Sequence, residues 1–211
     1  MDKRIRSGGA ITAVTLALAM LASGVHRVGA ADTAKVGAPA PAFQLRDTAG
    51  TDHALADYAG KIIVLEWLNH DCPFVKKHYT SGNMQAQQKE LTGKGAAWLT
   101  VISSAPGKQG YVDAAAAAEL TRSRGASPTA VLLDPSGEVG RKYAAKTTPH
   151  MYLVAPDGKL IYMGGIDSVP SSDADDIAGA TQYVKVALAE AAAGRPVSKA
   201  STRPYGCSVK Y

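Results

Sequence analysis

The chain contains two cysteines, and their positions indicate thiol chemistry. Cys72 lies in the segment EWLNHDCPFVKKHY, where an apolar run meets a proline, and Cys207 lies in PYGCSVKY at the C-terminus. A cysteine in such a place can be a reactive thiol, a metal ligand or one half of a structural disulfide. The functional interpretation therefore depends on whether Cys72 is activated and whether Cys207 can reach it.

Local features favour a reactive thiol at Cys72. The pattern predicts a helix that begins at Pro73, a residue well suited to the first helical position, so Cys72 would lie at the helix N-terminus. The backbone amides and the dipole of a helix stabilise an anion there. Lys76 and His70 would tune the thiolate, and Trp67 would form a wall beside it. We therefore expect the pKa of the Cys72 thiol to lie below its ordinary value.

Alternating strand and helix patterns surround this cysteine. A short N-terminal hairpin is followed by three apolar, β-rich runs that predict buried strands, KIIVLEWL, AAWLTVIS and TAVLLD. Two further strands, HMYLVA and LIYMGG, flank the turn PDG, and a long helix is predicted over roughly residues 177–193. This order predicts an α/β fold, a central mixed β-sheet with helices on both faces. Cys72 would lie at the carboxyl end of a parallel strand, where such sheets place their sites.

The N-terminal residues are predicted to form a secretory signal peptide, residues 1–30. Basic residues precede an apolar run of 13 residues, Ala10–Ala22, which is too short to span a bilayer, and VGA offers a small-residue cleavage site. An uncleaved anchor is the alternative. Export predicts a secreted or periplasmic protein in an oxidising compartment, with no membrane association after cleavage. Part of the net charge of +5 lies in this leader, and the charge of the remaining chain does not indicate a nucleic-acid-binding surface.

The rest of the sequence resembles the redoxin domains of the alkyl hydroperoxide reductase/thiol-specific antioxidant type, a branch of the thioredoxin superfamily. The resemblance is carried by the opening VGAPAPAFQLRDTAGTDHALADYAGKIIVLEW, by NHDCPFVKKH and by the loop TTPH. GCSVKY resembles the terminal signature of a peroxiredoxin-like subgroup. The resemblance implies a thioredoxin-like redoxin domain over residues 31–197, with an N-terminal β-hairpin extension and a C-terminal tail, residues 198–211. It also implies a cis bond before Pro149, which would face the active cysteine and shape the substrate groove.

Two departures from the related patterns narrow the expected chemistry. Val75 occupies the position of the second cysteine in C-x-x-C, so dithiol exchange within that motif is not expected. Asn69 and Leu65 stand where peroxiredoxins carry a threonine or serine and a proline. Because the hydroxyl that would orient a peroxide is missing, any peroxidase activity is expected to be slow.

The sequence therefore predicts an exported thiol–disulfide oxidoreductase with Cys72 as nucleophile and Cys207 as resolving cysteine. Its substrate would be a thiol, disulfide or peroxide, on a protein or a small molecule, and a thiol would reduce it. No cofactor is expected. Two alternatives stay open: a Cu(I)-binding module that uses Cys72, Cys207 and Met151, and a non-catalytic fold with a structural Cys72–Cys207 disulfide.

Overall fold

A seven-stranded mixed β-sheet forms the centre of the protein. The computed structural model describes residues 33–211 together with Met1, so the predicted signal peptide lies outside the described residues. The strands are β1 (Gln44–Asp47), β2 (Asp52–Ala54), β3 (Ile63–Trp67), β4 (Ala97–Ile102), β5 (Ala130–Leu133), β6 (Thr147–Thr148), β7 (His150–Val154), β8 (Leu160–Gly164) and β9 (Cys207–Ser208). The helices are α1 (Pro73–Thr80), α2 (Asn83–Gly93), α3 (Ala114–Ser123), α4 (Glu138–Lys142) and α5 (Tyr183–Ala192). Among the residues that the structure describes, no helix is long and apolar enough to span a membrane.

The strands lie in the order β2-β1-β5-β4-β3-β7-β8, and β6 pairs separately with β9. Strands β3, β4 and β5 are parallel to one another, whereas β7 and β8 run antiparallel beside β3. The β1–β2 hairpin pairs with β5 and extends the sheet at that edge. The structure thus confirms the predicted mixed sheet and the predicted hairpin extension.

Each face of the sheet carries its own hydrophobic cluster, because successive residues of a strand point to opposite faces. The cysteine cluster contains Cys72 and Trp98 and packs against α1, α2 and α5. The tryptophan cluster contains Trp67, Tyr143 and Tyr152 and packs against α4. Helices therefore cover both faces, as the sequence predicted.

One helix boundary differs from its predicted position. Gly82, with a positive φ of 76°, separates α1 from α2. The long C-terminal helix, however, begins at Tyr183, six residues later than expected. The amide of Tyr183 donates to Ile166, and the amide of Ser168 donates to Thr181. These bonds and the β-bridge between Asp167 and Gln182 hold residues 181–182 against residues 166–168, so the helix starts only after them.

The C-terminal residues lie against the domain along their whole length. Ser201 forms a β-bridge with Met163 at the end of β8, and the amide of Ala105 donates to the carbonyl of Lys210. Between these points, β9 pairs with β6. Residues 201–211 therefore form a strap across the carboxyl end of β3, a feature that the absence of periodicity in the tail did not predict.

Candidate active site

Cys72 occupies the N-cap of α1, directly before Pro73 in the first turn, as predicted. Its side chain is completely buried and belongs to the cysteine cluster. The sulfur lies 3.0 Å from the carbonyl oxygen of Thr148, to which the thiol can donate. The start of α1 and the end of β6 therefore meet at the sulfur.

The peptide bond between Thr148 and Pro149 is cis, which confirms the expectation from the TTPH loop. Pro149 is buried, and Thr148 precedes it on β6. The Thr148 carbonyl contacts Cys72, so the backbone beside Pro149 forms one wall of the site.

Cys207 reaches Cys72 through strand pairing. Cys207 pairs in register with Thr148, and Ser208 pairs with Thr147. In this position the backbone amide of Cys207 donates to the Cys72 sulfur over 3.4 Å, across 135 positions of sequence. Both cysteines are free thiols, with Cys72 buried and Cys207 partly exposed. The strap therefore holds a second thiol at the mouth of the site.

The two thiols have opposite pKa shifts. Burial acts to raise the pKa of Cys72, but hydrogen bonds from the Cys207 thiol, from Thr148 and from the amides of Cys207 and Val75 outweigh it and lower the pKa. Burial, together with the hydrogen bond to Cys72 and the negative charge on that sulfur, raises the pKa of Cys207 to about 11. Cys72 is therefore the more acidic of the two thiols, which suits it to act as the attacking thiolate.

The close fit of the strap requires a residue without a side chain before Cys207. Gly206 has a φ of 131°, a conformation that L side chains rarely adopt. A Cβ atom at this position would overlap the carbonyl oxygen of Thr148. Gly206 therefore permits the contact between β9 and the loop before Pro149.

The three residues predicted to surround the thiolate lie in three different environments. Trp67 lies in the tryptophan cluster, where its indole N–H donates to Ser103 over 3.0 Å, so no contact supports the predicted wall beside Cys72. His70 lies 3.4 Å from Asp71, and burial lowers its pKa. Lys76 is exposed on α1. Thiolate tuning by His70 and Lys76 stays a prediction.

Glu66 is a buried carboxyl group that the sequence reasoning did not single out. It lies on β3 and accepts hydrogen bonds from four side chains, Tyr79, Gln88, Trp98 and Thr100. Burial raises its pKa, although the four donors oppose that shift. The sequence did contain a clue to this group, because Glu66 is the one acidic residue within the apolar run KIIVLEWL. A charge in a buried strand needs several hydrogen-bond partners.

The site around Cys72 offers few side chains that could bind a metal ion. Within residues 33–211, no group of three or more His, Cys, Asp and Glu side chains is arranged to hold a metal ion. Met151, the proposed third copper ligand, is buried on β7 in the cysteine cluster. The copper alternative thus has two sulfurs close together and one thioether whose participation stays a prediction.

Comparisons with solved structures show what the fold is similar to. An uncharacterized conserved protein of Geobacillus kaustophilus is 24% identical, with 84% of this chain and 92% of that chain covered and a TM-score of 0.70. A hypothetical protein of Sinorhizobium meliloti 1021 is 21% identical, with coverages of 85% and 96% and a TM-score of 0.75. The thioredoxin domain of a thiol-disulfide oxidoreductase of Bacteroides vulgatus is 19% identical, with coverages of 70% and 97% and a TM-score of 0.50. The fold is therefore thioredoxin-like.

The sequence comparisons give the family. No curated protein sequence matches significantly. The model of the AhpC/TSA family matches residues 36–163, which is more than half of the chain. This region includes Cys72 and Pro149 and ends before the strap that carries Cys207. Since the match spans most of the described domain and the fold agrees with it, the chain belongs to the AhpC/TSA family.

Proposed function

We propose that the protein is a thiol–disulfide oxidoreductase in which Cys72 and Cys207 form the redox-active pair. The observation that carries this proposal is the pairing of β9 with β6, which places the Cys207 amide 3.4 Å from the Cys72 sulfur. A lowered pKa at Cys72 and a raised pKa at Cys207 give the two sulfurs different roles. Family membership supports the same class of chemistry.

In the forward direction, the Cys72 thiolate attacks one sulfur of a substrate disulfide. A bond forms between Cys72 and that sulfur while the substrate S–S bond breaks, and the second substrate sulfur leaves as a thiolate. Cys207 gives its proton to a departing thiolate and attacks Cys72, which releases the first substrate sulfur. The first substrate sulfur takes a proton from water, so the substrate is reduced to two thiols, and the protein holds a Cys72–Cys207 disulfide.

A thiol reductant returns the pair to the dithiol state. Its thiolate attacks Cys207, the partly exposed sulfur, and Cys72 leaves as the thiolate of lower pKa, which is the better leaving group. A second reductant thiolate then attacks the sulfur of the first reductant, which breaks the bond to Cys207, and Cys207 leaves as a thiolate that takes up a proton. Two reductant molecules are thereby joined in a disulfide, and the reaction can run in either direction according to the potentials of the partners.

Slow peroxide reduction is a secondary activity of the same pair. The Cys72 thiolate would attack one peroxide oxygen and become a sulfenic acid, while the O–O bond breaks and the other oxygen leaves as water or an alcohol. The Cys207 sulfur would then attack Cys72, form the disulfide and release the sulfenic oxygen as water. Asn69 lies where a hydroxyl residue would orient the peroxide. Its side-chain oxygen instead accepts from the Asp71 amide over 2.9 Å. Because no hydroxyl group stands at this position to orient a peroxide, we expect this reaction to be slow.

The predicted leader supports export, so the pair would work outside the cytoplasm. The test is the reduction potential of the protein without residues 1–30, measured by thiol trapping across a glutathione series. A single couple above about −300 mV is the expected result, since labile working disulfides lie in that range. A couple below that value would indicate a structural disulfide, and no intramolecular disulfide would remove the proposed pair. Cys72→Ser and Cys207→Ser are the controls, because neither can form the couple.

A further inference from the structure

The strap is anchored by a tyrosine on each side of Cys207, and the two tyrosines have different acceptors. Tyr205 donates to the Asp167 carboxylate over 2.5 Å, whereas Tyr211 donates to the backbone carbonyl of Ala145 over 2.7 Å. We infer that Tyr205 is the positioning residue that holds the strap over Cys72 and controls how often Cys72 meets a partner other than Cys207. The inference rests on the proposed function only in taking Cys72 as the reacting thiol.

The Tyr205 hydroxyl bonds to a cluster of polar side chains that is completely buried. The side chains of Asp167, Lys77 and His78 all have 0% exposure. Lys77 Nζ lies 3.7 Å from Asp167 Oδ2, and His78 Nε2 lies 3.8 Å from the same oxygen. A hydrogen bond to a charged acceptor is about twice as strong as one between neutral groups. The Tyr205 hydroxyl is therefore a stronger anchor than that of Tyr211.

The same tyrosine also contacts α1 directly. The ring of Phe74 packs edge-on against the ring of Tyr205, with centroids 5.8 Å apart, and the Lys77 ammonium lies 5.7 Å from the Tyr205 centroid. His78 Nε2 is 3.2 Å from the Tyr205 hydroxyl. Tyr205 is two residues before Cys207, and Phe74 is two residues after Cys72. The anchor therefore ties the two cysteine-bearing segments together at their closest approach.

Strap opening must precede any reaction of Cys72 with an external reagent, because the Cys72 side chain has 0% exposure. When opening and closing are fast, the reaction rate is proportional to the population of the open state. Removing the Tyr205 hydroxyl weakens the closed state and leaves the ring in place. Tyr205 thus decides the balance between closure by Cys207 and attack on an outside substrate.

The experiment measures the alkylation rate of Cys72 by iodoacetamide at fixed pH, in a Cys207→Ser background where Cys72 is the single thiol. Tyr205→Phe is compared with Tyr143→Phe, a matched loss of a buried hydroxyl that donates to Pro41. We expect Tyr205→Phe to raise the rate about tenfold, which is the effect of losing a charge-assisted hydrogen bond on an opening equilibrium. We expect Tyr143→Phe to leave the rate unchanged.

Amide hydrogen exchange provides a second measurement that needs no thiol reagent. In Tyr205→Phe with both cysteines present and reduced, the amides of Cys207 and Val209 should exchange about tenfold faster, while those of β3 stay protected. An unchanged alkylation rate, or an equal rise in Tyr143→Phe, would overturn the inference. Failure of the wild-type protein to form a disulfide would instead count against the proposed function alone, since neither measurement depends on that bond.

Discussion

Replacement of Gly206 by alanine tests whether the docked strap makes the Cys72–Cys207 disulfide favourable. The new Cβ would overlap the Thr148 carbonyl oxygen, and the residue would sit at a φ of 131°. Backbone strain of this kind costs about 1–3 kcal/mol. The reduced protein can relieve the strain by releasing the strap. The disulfide form cannot, because the bond keeps Cys207 at Cys72.

The oxidised state therefore carries a penalty that the reduced state avoids. If most of the strain persists in the disulfide form, the equilibrium constant for forming the disulfide should fall roughly 10- to 100-fold, corresponding to about 1.4–2.8 kcal/mol. The assay equilibrates each protein with glutathione and its disulfide and quantifies the trapped forms by mass. Gly158→Ala is the matched control, since Gly158 also has a positive φ, of 83°, but open space where its Cβ would lie. An equilibrium constant that is the same in wild type, Gly206→Ala and Gly158→Ala would refute the reasoning.

Three further predictions concern titration. Cys207→Ala should raise the pKa of Cys72, because the hydrogen bond from the Cys207 thiol that lowers it is lost while the bond from the Cys207 amide remains. Thiolate absorbance against pH measures the Cys72 pKa, and an unchanged pKa would contradict this prediction. Glu66 has a raised pKa, so its contribution to stability is present below about pH 4.3 and declines as pH rises through the folded-state pKa. Urea unfolding at a series of pH values should show this decline in the free energy of unfolding for wild type but not for Glu66→Gln. Burial lowers the pKa of His78 to about 4, so about 3 kcal/mol of stability, present above about pH 6.5, is lost as pH falls through 4. The His78→Gln variant should not show that loss. If its free energy of unfolding fell with pH in parallel with that of wild type, the prediction would be wrong.

Local pattern was sufficient for much of the fold. The buried strands were predicted because β-branched, nearly continuous apolar runs suit a sheet that is covered on both faces. Cys72 at the N-cap followed from Pro73, whose fixed φ suits the first helical turn. The cis bond at Pro149 came from resemblance in the TTPH loop, since an X-Pro bond on its own is usually trans.

Other features depended on which face a residue occupies. Trp67 lies in a nearly continuous apolar run, and such a run does not show which side chains point to which face of the sheet. The alternation of side chains along β3 in the assembled sheet places Trp67 in the tryptophan cluster. Glu66, its neighbour, points the other way and needs donors from β4, α1 and α2. Its satisfaction in the core depends on residues brought together from separate elements.

The sequence by itself determined the strand and helix pattern and the place of Cys72, because those depend on residues close together along the chain. Only the tertiary structure decided that the C-terminal residues form a strap. The strap has no periodicity, and its position depends on contacts of Tyr205, Gly206 and Tyr211 with distant parts of the domain. The proximity of Cys207 to Cys72, across 135 positions, follows from those contacts and from no local signal.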